Sequence, residues 1–388
     1  MTSPQAGASI TGVGESAFTR GTSHSELQLC LKAARNACLD RECPPESLDG
    51  LVIPGGRKFR VEDVVTGLGI TDLRFSSRAE LGGASSVAAI GHAVAAIVSG
   101  LATRVLIVGG WRGYSDRRLG AGGDDLLDKL AQAFPAPEFR RQLEHPYGLI
   151  VPLQYYALQA NRWIRELEID LSALGAVSLA CRSHAQLNDK AVMKDRPLAI
   201  EDYLASPIVS DPFRVLDCCL ETDGAAALIV EESGRTAGGI RVLAVAEGRP
   251  DSPDDITNRP DMLDLGIAKA AGRAFDSAGL GPEDMDFCEL YDCFTFVVLR
   301  QLEEMGFCPR GESPKLVAER GITLGGKLPV NTHGGLLSEA HVLGLNHVTE
   351  AVRQLRGSCG ARQVDGARLG LVTGYGDFGD GAIAVMGR

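Results

Sequence analysis

The sequence predicts an α/β protein made of two similar βα halves fused in one chain. Three observations carry that reading. Two apolar runs end in glycine, Arg104-Val105-Leu106-Ile107-Val108-Gly109-Gly110 and Gly370-Leu371-Val372-Thr373-Gly374, as strands covered on both faces do. A Pro-Glu-x-x-Asp element, Pro45 to Asp49 and Pro282 to Asp286, stands between a helical pattern and a short strand in each half. A polar, glycine-rich joint, Ser233-Gly234-Arg235-Thr236-Ala237-Gly238-Gly239, separates the two patterns. The expected division is residues 1–238 and 239–388.

The elements follow in order. Ser9 to Gly14 reads as a first strand ending in a glycine turn. From Ser25 to Leu39 the apolar residues recur close to helical period. Gly50 to Pro54 is a short buried strand. Leu81-Gly82-Gly83-Ala84-Ser85-Ser86 then opens a long Ala/Val helix ending near Ser99, and the strand at Arg104 follows. Residues 111–155 hold Gly, Asp and Arg clusters, Pro135, Pro137 and His145-Pro146-Tyr147-Gly148. They read as a long excursion that covers the active site. Helices at 154–164 and 171–187 and a strand at 223–231 complete the first half. The second half repeats the scheme: a strand at 240–247, a helix at 262–278, the end of a strand at Met285 to Cys288, and a helix at Val297 to Met305. Asn331-Thr332-His333-Gly334-Gly335 precedes a helix expected near Ser338, as Leu81 to Ser85 precedes its own.

Hydrophobic residues make up 45% of the chain and aromatics only 5%, so the core is built from Ala, Val, Leu and Ile, with 47 glycines permitting close approach. The net charge is −11 and no Lys/Arg-rich run occurs, which argues against nucleic acid as a partner. Met1 to Ala6 lacks a basic region leading into an apolar core, and the run from Ser85 to Val98 is too short and too polar to span a bilayer. The ten cysteines are scattered without zinc spacing; reduced thiols in a cytoplasm and no metal site are expected.

Tyr291 and Asp292 fall at a strand-to-helix turn, where α/β folds place their chemistry. Asn331-Thr332-His333-Gly334-Gly335-Leu336-Leu337-Ser338-Glu339-Ala340-His341-Val342-Leu343-Gly344 lies further on. Together with Tyr291-Asp292-Cys293-Phe294 and Thr222-Asp223-Gly224-Ala225-Ala226 it resembles the thiolase superfamily, most closely its sterol-carrier-protein, lipid-transfer-protein-like branch. The resemblance covers essentially the whole chain. It implies a thiolase-like fold of two βα halves in five α/β/α/β/α layers. It also implies a homodimer acting on a coenzyme A thioester as substrate, with no permanently bound cofactor.

Thiolases of this kind carry a nucleophilic cysteine at the start of the long first-half helix, where the helix dipole favours thiolate. Here Gly83 matches that position, and no cysteine occurs between Cys43 and Cys181. The C-terminal loop from Val372 to Gly381, where a second cysteine would stand, has none either; Gly376 lies in it. Ser85 and Ser86 read as helix-start residues rather than replacement nucleophiles, since no paired base is evident. His341 matches the thiolase enolate-binding histidine, and Tyr291 stands where a histidine is usual. Tyrosine there, with the nucleophile gone, resembles the thiolase-like aldolases of bacterial steroid side-chain degradation. These cleave a β-hydroxyacyl-CoA by retro-aldol reaction and need a small OB-fold, zinc-ribbon partner.

The expected catalytic residues are therefore Tyr291 as base and His341 as acid or enolate donor. Those aldolases carry a second tyrosine where this chain has His341, which leaves a steroid substrate open. Asn331, Gly334, Gly335, Gly83, Gly376, His333 and Tyr147 are the expected substrate-binding residues. His333 either binds the pantetheine end or braces the Gly334-Gly335 turn, and His145 and Tyr147 either touch substrate or pack the covering segment. Asp292 is expected to cap a helix, and Cys218, Cys219 and Cys293 to be small buried apolar residues. His24, His92, His184 and His347 read as helix or surface residues without partners. Two rivals stay open: an acyltransferase or condensing enzyme with unusual residues, and a non-catalytic acyl-CoA or lipid-binding subunit.

Overall fold

The computed structural model describes residues 7–117, 138–252, 256–376 and 379–388. The middle of the excursion, 118–137, lies outside the described residues, as do Met1 to Ala6 and Asp377-Phe378 of the C-terminal loop. The strands are β1 (Ala8–Glu15), β2 (Gly50–Pro54), β3 (Phe75–Ala79), β4 (Arg104–Arg112), β5 (Ile208–Ser210), β6 (Phe213–Arg214), β7 (Asp223–Glu232), β8 (Ile240–Gly248), β9 (Phe287–Glu289), β10 (Leu369–Tyr375) and β11 (Gly381–Gly387). β5 and β6 form a hairpin of their own. The other strands form one mixed sheet in the order β3-β2-β4-β7-β1-β8-β11-β10-β9.

The duplication is visible in that order. Outward from the central β1–β8 pair runs β7-β4-β2-β3 on one side and β11-β10-β9 on the other, with Val330 bridged in parallel to Cys288 in the place of β3. Strand directions match at every step: antiparallel, antiparallel, parallel, parallel. The Ser233 to Gly239 joint is the loop between β7 and β8. The two halves do not keep separate sheets. The antiparallel rungs Ala8 to Val242, Ser9 to Arg241 and Ile10 to Ile240 join them edge to edge.

Helix packing sorts the chain into five layers. The Glu26–Arg41 helix covers β1, β4 and β7 from outside, and the Gly266–Ala278 helix covers β8 and β11. The Ser85–Val98 helix touches β2, β4 and β7 on one side and β8, β10 and β11 on the other, so it lies between the halves, with the Leu345–Arg356 helix beside it. Its Ala, Val and Ile side chains suit an interior position with sheet on both sides. The Leu345–Arg356 helix is equally buried but polar: Asn346, His347, Thr349, Glu350 and Gln354 are all inside.

Two expectations are corrected. Gly12 and Gly14 make no turn; both lie within β1, where a Cβ on Gly14 would stand 2.2 Å from the Ala37 nitrogen and one on Gly12 2.6 Å from the Ala37 oxygen. They let the Glu26–Arg41 helix press directly on the strand. The helix after Asn331 starts at Leu345 rather than Ser338, because Leu343 (φ 59°) and Gly344 (φ 80°) turn left-handed after the single turn Gly335–Ser338. Among the described residues no helix is long and apolar enough to cross a membrane.

Candidate active site

Tyr291 lies two residues beyond the end of β9, in the turn before the Thr295–Glu304 helix. That turn is pinned from two sides. The Tyr291 N–H donates to Thr373 Oγ1 on β10 at 2.9 Å, and Gln301 Nε2 donates to the Tyr291 carbonyl at 2.8 Å. The Thr373 hydroxyl itself donates to Gln301 Oε1 at 2.6 Å, closing the loop. On the other side the Asn331 amide meets both backbone groups of Leu290: it accepts from the N–H at 2.6 Å and donates to the carbonyl at 2.9 Å. Asn331 does this from a left-handed backbone (φ 56°), a conformation asparagine tolerates better than most residues. The tyrosine is thereby buried and fixed, with 3% of its surface exposed.

Its hydroxyl lies 3.3 Å from Nε2 of His341. The histidine backbone is clamped by Thr222, whose hydroxyl accepts from the His341 N–H at 2.8 Å and donates to its carbonyl at 3.1 Å. The Trp111 ring lies 5.5 Å from the imidazole, so the first residue of the excursion reaches the site. On the far side of the ring, Cys219 Sγ is 3.6 Å from Nδ1. Burial pushes the Cys219 thiol up to about 12, and the carboxylates of Asp292 and Glu221 add to the rise.

Gly83 explains why the tyrosine fits. A Cβ at Gly83 would stand 2.5 Å from the Tyr291 hydroxyl oxygen, 2.6 Å from its Cζ and 2.3 Å from the Tyr375 carbonyl. The phenol fills the space a side chain at the helix start would need. The neighbouring serines are occupied elsewhere. Ser85 Oγ accepts from the Leu81 N–H at 2.8 Å and donates to the Gly82 carbonyl at 2.6 Å, while Ser86 donates to the Leu343 carbonyl at 2.5 Å. Gly376 presents its carbonyl to the Tyr156 hydroxyl at 3.2 Å, and a Cβ on it would meet the Leu81 oxygen at 2.5 Å.

Behind this constellation lies a buried polar layer. His333 is fully buried, with Nδ1 2.8 Å from Glu289 Oε2 and Nε2 3.6 Å from Glu339 Oε2, which places it beneath the loop it belongs to. Burial, reinforced by Glu350, pushes the Glu289 carboxyl well above its usual value, and burial lifts Glu339 to about 7. Asp292 accepts from the Leu336 N–H at 2.8 Å and the Leu337 N–H at 3.2 Å, so it caps the Gly335–Ser338 turn rather than its own helix. Gly335 has to be glycine there, since a Cβ would lie 2.0 Å from Asp292 Oδ2. Gly334, at φ 108°, makes the preceding bend. Tyr147 is 85% exposed on the 145–147 turn, outside this buried constellation.

Two histidines expected to lack partners prove to be braces. His347 Nε2 lies 2.9 Å from the Leu290 carbonyl and 3.0 Å from Asp292 Oδ1. His184 Nε2 accepts from the Leu324 N–H at 3.0 Å, which leaves Nδ1 to donate to the Asn331 carbonyl at 3.0 Å. His184 is thus held neutral, and burial lowers it from 6.5 to about 4. A histidine whose folded value is depressed is charged first in the unfolded chain. Its stabilisation is present above pH 6.5 and is lost as pH falls from there towards 4, about 3 kcal/mol in all. Chemical denaturation of the wild type and His184→Gln across that range should show the flatter pH dependence in the variant.

Comparison with known proteins now has a site to bear on. The thiolase C-terminal domain-like family model matches residues 249–388. The 17-hydroxy-3-oxo-4-pregnene-20-carboxyl-CoA lyase of Mycobacterium tuberculosis is 35% identical, over 94% of this chain and 95% of its own length. The chain belongs to the thiolase superfamily. The steroid side-chain-cleaving aldolase of Thermomonospora curvata is 33% identical over 90% of each chain. The solved Ltp2-ChsH2(DUF35) aldolase superposes with a TM-score of 0.89 at 32% identity and 98% coverage of both chains. Within the superfamily, then, this chain pairs a tyrosine with a glycine at the helix start. Tyr291, His341 and Gly83 converge on one point, as the sequence led us to expect. Cys219, Thr222 and Trp111 were not anticipated as members of the site. Nothing local in the sequence marks them, because they arrive from segments more than 100 positions away from His341.

Proposed function

We propose that this chain cleaves a β-hydroxyacyl-CoA by retro-aldol reaction, releasing a ketone or aldehyde and a shorter acyl-CoA. The observation that carries the reading is the Tyr291 hydroxyl lodged against Gly83 and 3.3 Å from His341 Nε2. In the reaction a base takes the β-hydroxyl proton and the C–O bond becomes a carbonyl. The Cα–Cβ bond breaks, and its electron pair passes into the thioester enolate, which is then protonated at Cα. Tyr291 is the base, and His341 the donor that holds the enolate oxygen or returns the proton. No acyl-enzyme forms, so glycine at position 83 costs the chemistry nothing. A steroid side-chain thioester is the first substrate to test, given the names of the lyase and aldolase relatives. The thioester is substrate, not a resident cofactor. A homodimer in a cytoplasm is the expected setting, with a partner subunit of the kind the Ltp2-ChsH2(DUF35) name indicates.

The pairing of Cys219 with His341 is the observation that favours a rival, acyl transfer through cysteine. A thiol pushed up to about 12 is the wrong starting state for a nucleophile. Two assays separate the readings. β-Hydroxyacyl-CoA thioesters are screened for carbonyl release with and without the partner, and the protein is weighed by mass spectrometry after exposure to acyl-CoA. Carbonyl release with an unmodified chain is the expected result. An acyl group on Cys219 would overturn it.

A further inference from the structure

We propose that Cys219 is a positioning residue: its thiol donates to Nδ1 of His341 and so keeps the imidazole proton on Nε2, aimed at the oxygen of Tyr291. The kinetic consequence rests on the retro-aldol reading; the tautomer itself does not. A neutral imidazole has one proton and two nitrogens, and the tautomer follows from what each nitrogen meets. Cys219 Sγ and Tyr291 Oη stand at the two ends of the His341 ring, at 3.6 Å and 3.3 Å. The thiol is held protonated by burial and by the fields of Asp292 and Glu221, so it arrives at Nδ1 as a donor. Nε2 is then left to donate to the tyrosine. A donor there stabilises phenolate over phenol, which is what a tyrosine base near neutrality needs.

The segment carrying Cys219 is tied down well enough to do this. Its N–H donates to the Cys293 carbonyl at 2.9 Å, next to the Tyr291 turn, and the Leu220 N–H donates to the Leu336 carbonyl at 2.9 Å. Thr222 then clamps the His341 backbone at 2.8 Å and 3.1 Å. One short stretch therefore fixes both the histidine main chain and its ring. The other titratable groups facing the pair are Glu221 on this stretch, Asp292 and Cys293 in the turn, His347 with its ring 6.3 Å from that of Tyr291, and Tyr375 on β10.

The test uses the full chain with its partner subunit and two readouts. In ring-labelled protein, nitrogen NMR should report the Nε2–H form of His341 in the wild type and in Cys219→Ser, and a mixture of tautomers in Cys219→Ala. In turnover, Cys219→Ala should fall about 5- to 30-fold and move the alkaline-rising limb of the pH profile upward by about half to one unit, while Cys219→Ser stays within about threefold of the wild type. Cys219→Val, which also lacks the donor, takes the place of Cys219→Ala should that variant fold poorly. A wild-type tautomer and pH profile in the donor-less variants would overturn the proposal. If instead no carbonyl is released by any form of the protein, the retro-aldol reading fails, and the NMR result still decides the role of Cys219.

Discussion

Tyr291→Phe is expected to lower carbonyl release by about a thousandfold while leaving the fold intact. The substitution removes one oxygen. The pins on the turn, Thr373, Gln301 and Asn331, all act on backbone atoms and survive it. The lost contact is the 3.3 Å approach to His341, whose backbone clamp on Thr222 also survives. The effect should therefore fall on kcat, with KM for the thioester and the midpoint of unfolding close to the wild type. Turnover within about threefold of the wild type would remove Tyr291 from the mechanism.

Gly83→Cys is expected to inactivate the protein rather than restore a nucleophile. The new Cβ meets the Tyr291 phenol at 2.5 Å and the Tyr375 carbonyl at 2.3 Å, so either the ring or β10 must move. Overpacking of this kind costs about 1–3 kcal/mol. Shortening Tyr291 to Ala in the same chain relieves only the first contact, because the Tyr375 oxygen belongs to the backbone. The double variant should stay less stable than Tyr291→Ala alone and should take no acyl group from acyl-CoA. Equal unfolding midpoints for the two, or an acyl adduct on the introduced thiol, would show that the space is not closed as described.

Much of the fold could be read before any coordinates. The paired runs at Leu106 and Leu371 and the Pro-Glu elements at Pro45 and Pro282 mark matching strands in the two halves, since order and spacing are set by the sheet path. What failed did so for local reasons. The glycines of β1 read as a turn because close helix approach and tight bends ask for the same residue. The helix after Asn331 begins later than its pattern suggests because a non-glycine in a left-handed backbone, Leu343, leaves no trace in apolar periodicity. Within the site, Tyr291, His341 and Gly83 were legible through motif and absence. Cys219 was not, since its meaning comes from a neighbour 122 positions away. His184 and His347 misled for the same reason: their partners are backbone carbonyls of distant turns.

The two central helices divide their labour in a way that bears on assembly. The Ser85–Val98 helix is buried through Ala, Val and Ile, a surface that accepts many dockings of similar quality. The Leu345–Arg356 helix tolerates one. Asn346 donates to Glu339 at 2.8 Å, Glu350 takes Arg362 at 2.8 Å and Thr332 at 2.9 Å, and Arg353 reaches across to Glu15 of the other half at 2.7 Å. A slip by one turn would strand each of these groups in the interior without its partner, at about 1–3 kcal/mol apiece. The apolar helix supplies cohesion and the polar one proofreads it: a chain that has collapsed out of register finds no resting place until both halves have met in the arrangement that also brings Tyr291 against Gly83.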